Sequence, residues 1–158
     1  GEEPGGRGFS GSRKPRRPDK EDGIRRSQRL LLTWLIETPA LFEKIEGIIT
    51  ADDFVENLYH QVAQMVFDGH REGNLNPAAI LSRFINDEDQ YKEVAALFNA
   101  SLKESLNNEE QKKAFSETVM KVRKNSLDVA SRNAKDITQL QEIIRQQAAL
   151  KQLHISLD

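Results

Sequence analysis

Six of the seven residues from Leu30 to Ile36 are large and apolar, with Thr33 the one interruption. Read as a helix, the run is apolar nearly all round, and such a helix is stable only when other elements cover every side of it. It is also far short of the ~20 residues that a bilayer span requires. The run therefore predicts the central helix of a bundle and no membrane-crossing segment.

The chain changes character at Ile24. Residues 1–23 hold six of the nine glycines and three of the five prolines, and Phe9 is their single large apolar side chain. A segment of this kind buries too little surface to offset the entropy of ordering it, so it reads as a disordered linker. Its basic cluster Arg13, Lys14, Arg16 and Arg17 is a candidate for weak nucleic-acid contact, although a solvated tether between domains is the favoured reading. Residues 1–29 carry nine Lys/Arg against five Asp/Glu, and the remainder carries fourteen against twenty, so an arm of about +4 precedes a body of about −6. An acidic body repels a phosphate backbone, which confines nucleic-acid contact to the arm.

Helix punctuation continues along the body. Pro39 suits the first turn of a second helix carrying Leu41, Phe42 and Ile45, with Gly47 ending it. Thr50 is placed to cap a short turn containing Asp52, Asp53 and Phe54. Leu58, Val62, Met65 and Val66 recur at helical spacing, and Gly73 can close that helix in a left-handed cap. Asn76 and Pro77 read as an N-cap and a first-turn proline, opening a helix with Ile80, Leu81 and Phe84. Tyr91, Val94, Ala95, Phe98 and Leu102 mark a fifth. Phe115, Val119, Val122, Ser126 and Val129 then trace a narrow stripe from Asn108 to about Asn133, a helix of roughly 35–40 Å at 1.5 Å per residue. Asp136 can cap a terminal helix with Ile137, Leu140, Ile143, Ile144, Leu150 and Leu153 on a broad apolar face.

No β-alternation of useful length and no repeat of 20–50 residues is present. The expected fold is all-α: a small helical bundle over residues 24–107, then a long helix and a terminal helix over 108–158 that project from it as a hairpin.

The chain offers little chemistry. With no cysteine, it has no disulfide, thiolate metal site or cysteine nucleophile. Its glycines form no phosphate-cradling loop. His60, His70 and His154 lack the spacing that presents two imidazoles on one helical face to a metal. Asp52, Asp53 and Glu56 are a candidate metal or acid-base cluster, but two of them are adjacent and point differently on a helix, and first-turn acids of this kind ordinarily stabilise a helix dipole. No catalytic, metal or cofactor residue is therefore expected. The apolar face of the terminal helix is the informative feature, because a two-helix hairpin has one inner face and six large aliphatic side chains exceed what it covers.

An ordered set of short pieces carries a resemblance. Leu30-Leu31, Trp34-Leu35-Ile36 before Pro39-Ala40-Leu41-Phe42, Asp52-Asp53-Phe54, Tyr59-His60-Gln61-Val62, and Glu72-Gly73 before Pro77-Ala78-Ala79-Ile80 follow one another between Gln28 and Phe84. In that order they resemble the fold shared by the C-terminal domain of DnaG-type bacterial primases and the N-terminal domain of DnaB-type replicative helicases. The Pro/Gly-rich basic arm resembles a primase linker, and the Leu150–Leu157 run followed by the chain end resembles a primase ending.

The primase resemblance implies a cytoplasmic, non-catalytic module, monomeric in isolation, whose hairpin docks on the N-terminal domains of the hexameric replicative helicase. Position in that fold puts Leu140, Ile143, Ile144, Gln147, Leu150 and Leu153 in or near the contact. The alternatives are a self-associating helicase N-terminal domain and a nucleic-acid-binding accessory domain working through the arm.

Overall fold

The computed structural model describes residues 18–99, 109–155 and 157. The basic cluster Arg13, Lys14, Arg16 and Arg17, and the helical position assigned to Leu102, lie outside the described residues. Among the described residues all regular structure is helical: α1 (Pro18–Glu37), α2 (Asn57–Arg71), α3 (Pro77–Ser82), α4 (Glu88–Asn99), α5 (Glu109–Arg132) and α6 (Ile137–Leu150), with two 3-10 turns at Pro39–Glu43 and Ala51–Asp53.

The Leu30–Ile36 run is the axis of the molecule. Leu31, Leu32 and Leu35 have no exposed surface, and Trp34 is almost fully covered. Thr33, buried within the run, donates its hydroxyl to the Arg29 carbonyl at 3.0 Å, so the one polar interruption is satisfied inside its own helix. The helix begins at Pro18, which makes residues 18–23 helical where their composition reads as linker. It ends before Pro39, whose ring disfavours helical geometry at Thr38 (φ −130°, ψ 81°).

Beyond Thr38 the expected second helix is a single 3-10 turn, Pro39–Glu43, that buries Leu41 and Phe42. Gly47 (φ +80°) turns the chain away in the left-handed region. Ile45 and Ile49, on either side of it, go into the core. The next 3-10 turn is tied at its start by Asp53, whose Oδ2 accepts the Thr50 N–H at 2.9 Å. Gln28, buried on α1, accepts the Glu56 N–H at 3.0 Å and so joins the start of α2 to the central helix.

Local chemistry sets the remaining helix ends. Leu58, Val62 and Val66 of α2 recur every fourth residue and are buried. Gly73 (φ +71°) then closes the helix, with the Asn74 N–H returning to the Gly69 carbonyl at 2.7 Å. Asn76 Oδ1 caps α3 through the Ala79 N–H at 3.2 Å, and Asp136 Oδ1 caps α6 through the Gln139 N–H at 2.8 Å.

The long helix departs from the expected projection. Phe115, Val119 and Val122 are fully buried in the same core as Leu31, Trp34 and Leu35. The Phe115 and Trp34 rings meet edge to face with centroids 5.4 Å apart. The stripe that reads in sequence as a hairpin seam is the lid on α1, because an all-round apolar helix requires cover on every side. Only α6 folds back outside the core, and after it the chain returns, with Leu153, Ile155 and Leu157 packed against the bundle.

Candidate partner-docking site

Of the large apolar side chains exposed among the described residues, Ile85 stands alone after α3, Val55 and Tyr91 are about one-third exposed, and two, Ile137 and Ile144, share the terminal helix. Of its 14 residues only Ile143 is buried, whereas Ile137 is 72% and Ile144 53% exposed. Ile137 and Ile144 are seven residues apart and share a face, turned about 100° around the helix from Ile143. Leu140 is half-buried between these directions.

The six positions assigned to the contact therefore separate. Ile144 and part of Leu140 face outward. Ile143 faces inward on a helix that packs against α5. Gln147 is half-buried and donates to Asp128 Oδ1 at 3.2 Å. Leu150 and Leu153 line a crevice of about 150 Å³ with Gly47, Ile48, Arg123, Gln146 and Ala149, and Leu153 also touches the bundle core. Ile143 and Leu153 are thus packing residues of this chain, and the outward stripe gains Ile137.

A second feature has no local signal in the sequence. Asp53, whose side chain is 4% exposed, accepts from Arg123 Nη1 at 2.7 Å and from Ser126 Oγ at 2.6 Å. With the Thr50 N–H, three donors converge on one carboxylate. Arg123 Nη2 then donates to Gln146 Oε1 at 2.9 Å. One guanidinium thus joins the Ala51–Asp53 turn, α5 and α6.

This arrangement also decides the carboxylate cluster. Asp53 is occupied by Arg123 and Ser126; Glu56 lies 3.8 Å from Arg25; Asp52 is exposed. The three do not converge on a common point, and among the described residues no group of three or more His, Asp or Glu side chains is arranged to hold a metal. The histidines are separate too. His60 Nδ1 lies 3.0 Å from the Ala51 carbonyl, and His70 stacks on Phe42 with ring centroids 4.0 Å apart.

Among the described residues the Tyr59 phenol is strongly perturbed. Burial, reinforced by a 2.5 Å hydrogen bond from its hydroxyl to Glu93 Oε2, holds the Tyr59 phenol well above the usual tyrosine range, and Arg25, 5.5 Å over the ring, partly opposes this. A pKa raised in the folded state keeps its stabilisation at pH values below the ordinary tyrosine pKa and loses it above. Stability should therefore be insensitive to Tyr59 up to about pH 9 and fall as pH rises beyond ~10, where the unfolded phenol ionises first. Denaturant titrations from pH 8 to 11 on the native chain and Tyr59→Phe check this, since the variant lacks that alkaline loss.

Geometry and chemistry together define the class: an all-helical bundle carrying an outer helix with an exposed isoleucine stripe. Comparison of the chain with protein-family models, with curated proteins and with solved structures finds no match.

Proposed function

We propose that this chain is the helicase-docking module of a DnaG-type primase, binding the N-terminal domains of the hexameric replicative helicase through α6 and coupling primer synthesis to unwinding. The observation that carries the reading is the outward Ile137/Ile144 stripe on a helix that gives the bundle a single buried side chain. Beside it stands the sequence resemblance over residues 28–84. The segment itself is read as non-catalytic, with the chemistry of primer synthesis belonging to other parts of such a primase.

Energetics favour a reversible contact. Covering what remains exposed of two isoleucines, 72% of Ile137 and 53% of Ile144, contributes ~2–4 kcal/mol before an association cost of ~4–15 kcal/mol is subtracted. α6 alone therefore gives weak binding, strengthened by neighbouring contacts or by several copies on one hexamer.

Calorimetry of the chain against its replicative helicase hexamer tests the reading. Ile144→Asp places a charge in the apolar contact and should weaken binding at least about tenfold, with the circular dichroism spectrum and the unfolding midpoint unchanged. A native chain with no affinity for the hexamer would remove the proposal. Self-association that rises with concentration and disappears in Ile144→Asp would favour the helicase-type alternative instead.

A further inference from the structure

The crevice between α6 and the bundle holds an arrangement that apolar packing does not explain. Gly47 and Ile48 stand on one side, Ala149, Leu150 and Leu153 on the other, and about 150 Å³ of space separates them. Side chains on this flank therefore do not interlock as they do between α1 and α5. Across the gap runs Arg123, with one amino group on Asp53 and the other on Gln146. Asp53 is held by the bundle through Ser126 and the Thr50 N–H. Gln146 is held within α6, where its Nε2 donates to Glu142 Oε2 at 3.0 Å.

We infer that Arg123 is a positioning residue for α6: anchored on Asp53, it holds Gln146 and so presents the Ile137/Ile144 stripe at one angle to the bundle. A planar guanidinium suits this task, because its two amino groups are rigidly related, so holding both acceptors at once narrows the relative orientations open to the elements that carry them. α6 needs such a device. Its one fully buried side chain is Ile143, with Leu140 and Leu150 half-buried, so apolar packing alone gives the helix a narrow foothold. Among the described residues the other side-chain hydrogen bond between α5 and α6, from Gln147 to Asp128 at 3.2 Å, is a single bond that does not reach the bundle turn, whereas Arg123 engages Asp53 and Gln146 at once. Presentation of the stripe to a helicase rests on the function proposed above; the orientation of α6 does not.

The test is hydrogen exchange by mass spectrometry on the full chain, with no partner present. Gln146→Met preserves length and helix propensity and removes the acceptor. Amides of α6 should then exchange about tenfold faster, while those of α1 and α2 keep their native rates. The double variant Glu142→Gln with Gln146→Glu restores an acceptor for Arg123 and reverses the polarity of the 142–146 bond, and it should return α6 to near-native exchange. Unchanged α6 exchange in Gln146→Met would overturn the inference. So would equal acceleration throughout the chain, which a merely structural role predicts, or failure of the double variant to restore protection. Calorimetry of the same variants against the helicase hexamer separates the two claims. Faster α6 exchange in a chain whose native form does not bind helicase leaves the positioning role standing and removes the functional reading.

Discussion

Phe115→Ala should lower the free energy of unfolding by about 3–5 kcal/mol, the cost of removing a fully buried aromatic side chain from a core that collapses only partly around the gap. Phe115 is completely enclosed and meets Trp34 edge to face. Such an aromatic pair contributes ~0.5–1.5 kcal/mol beyond the area it buries, which places the effect toward the upper part of that range. Trp34 is the chain's single tryptophan, so its fluorescence reports on the centre of the bundle. Denaturant unfolding followed by that fluorescence and by far-ultraviolet circular dichroism should give coincident transitions, both shifted to lower denaturant. An α5 that merely projected from the bundle would behave otherwise: the circular dichroism signal would decay early, the Trp34 transition would stay in place, and the cost would be local.

Asp53→Ala should be the next most damaging change, at about 3 kcal/mol. It removes one acceptor from three donors, Arg123, Ser126 and the Thr50 N–H, at a point where the carboxylate is almost wholly enclosed. Breaking a buried pair costs ~3–5 kcal/mol because the surviving charge is stranded, but the Arg123 side chain is 26% exposed and recovers some hydration, which puts the value at the lower end. Asp52, one residue earlier and exposed, supplies the control: Asp52→Ala should alter stability by no more than ~0.5 kcal/mol. Urea titrations of the two variants give the comparison directly. Equal effects at the two positions, or a loss below ~1 kcal/mol at Asp53, would reduce the Arg123 pair to the weight of an ordinary surface ion pair.

Asp52 and Asp53 also mark the limit of what is readable from local pattern. Both look like first-turn acids of a capped turn, and Asp53 does hold the Thr50 N–H. Its partners Arg123 and Ser126 lie 70 and 73 residues away, and no periodicity, cap or motif links positions so far apart. The same holds for Gln146, which in sequence is one more polar residue on the last helix. For α6 the difficulty is different. Ile137, Leu140, Ile143, Ile144 and Leu150 cover so much of the helical circumference that hydrophobicity does not say which of them turn inward.

Helix starts and stops are legible because each depends on atoms within about four residues. Asn76 before Pro77, Gly73 after α2, Asp136 before α6 and Pro39 after Thr38 satisfy or deny backbone hydrogen bonds in their own turn. The central place of Leu31, Leu32, Trp34 and Leu35 is legible for a related reason, since a helix apolar on all sides has no stable position except the middle. The helical class, most of the element ends and the identity of the central helix are therefore set by short-range chemistry and legible before any fold is known. Tertiary structure alone decided that α5 seals the core, that Arg123 bridges Asp53 to Gln146, and that Ile137 and Ile144 remain outside. Those outcomes depend on which surfaces compete to cover α1, a contest among elements distant in the chain that short-range chemistry cannot resolve.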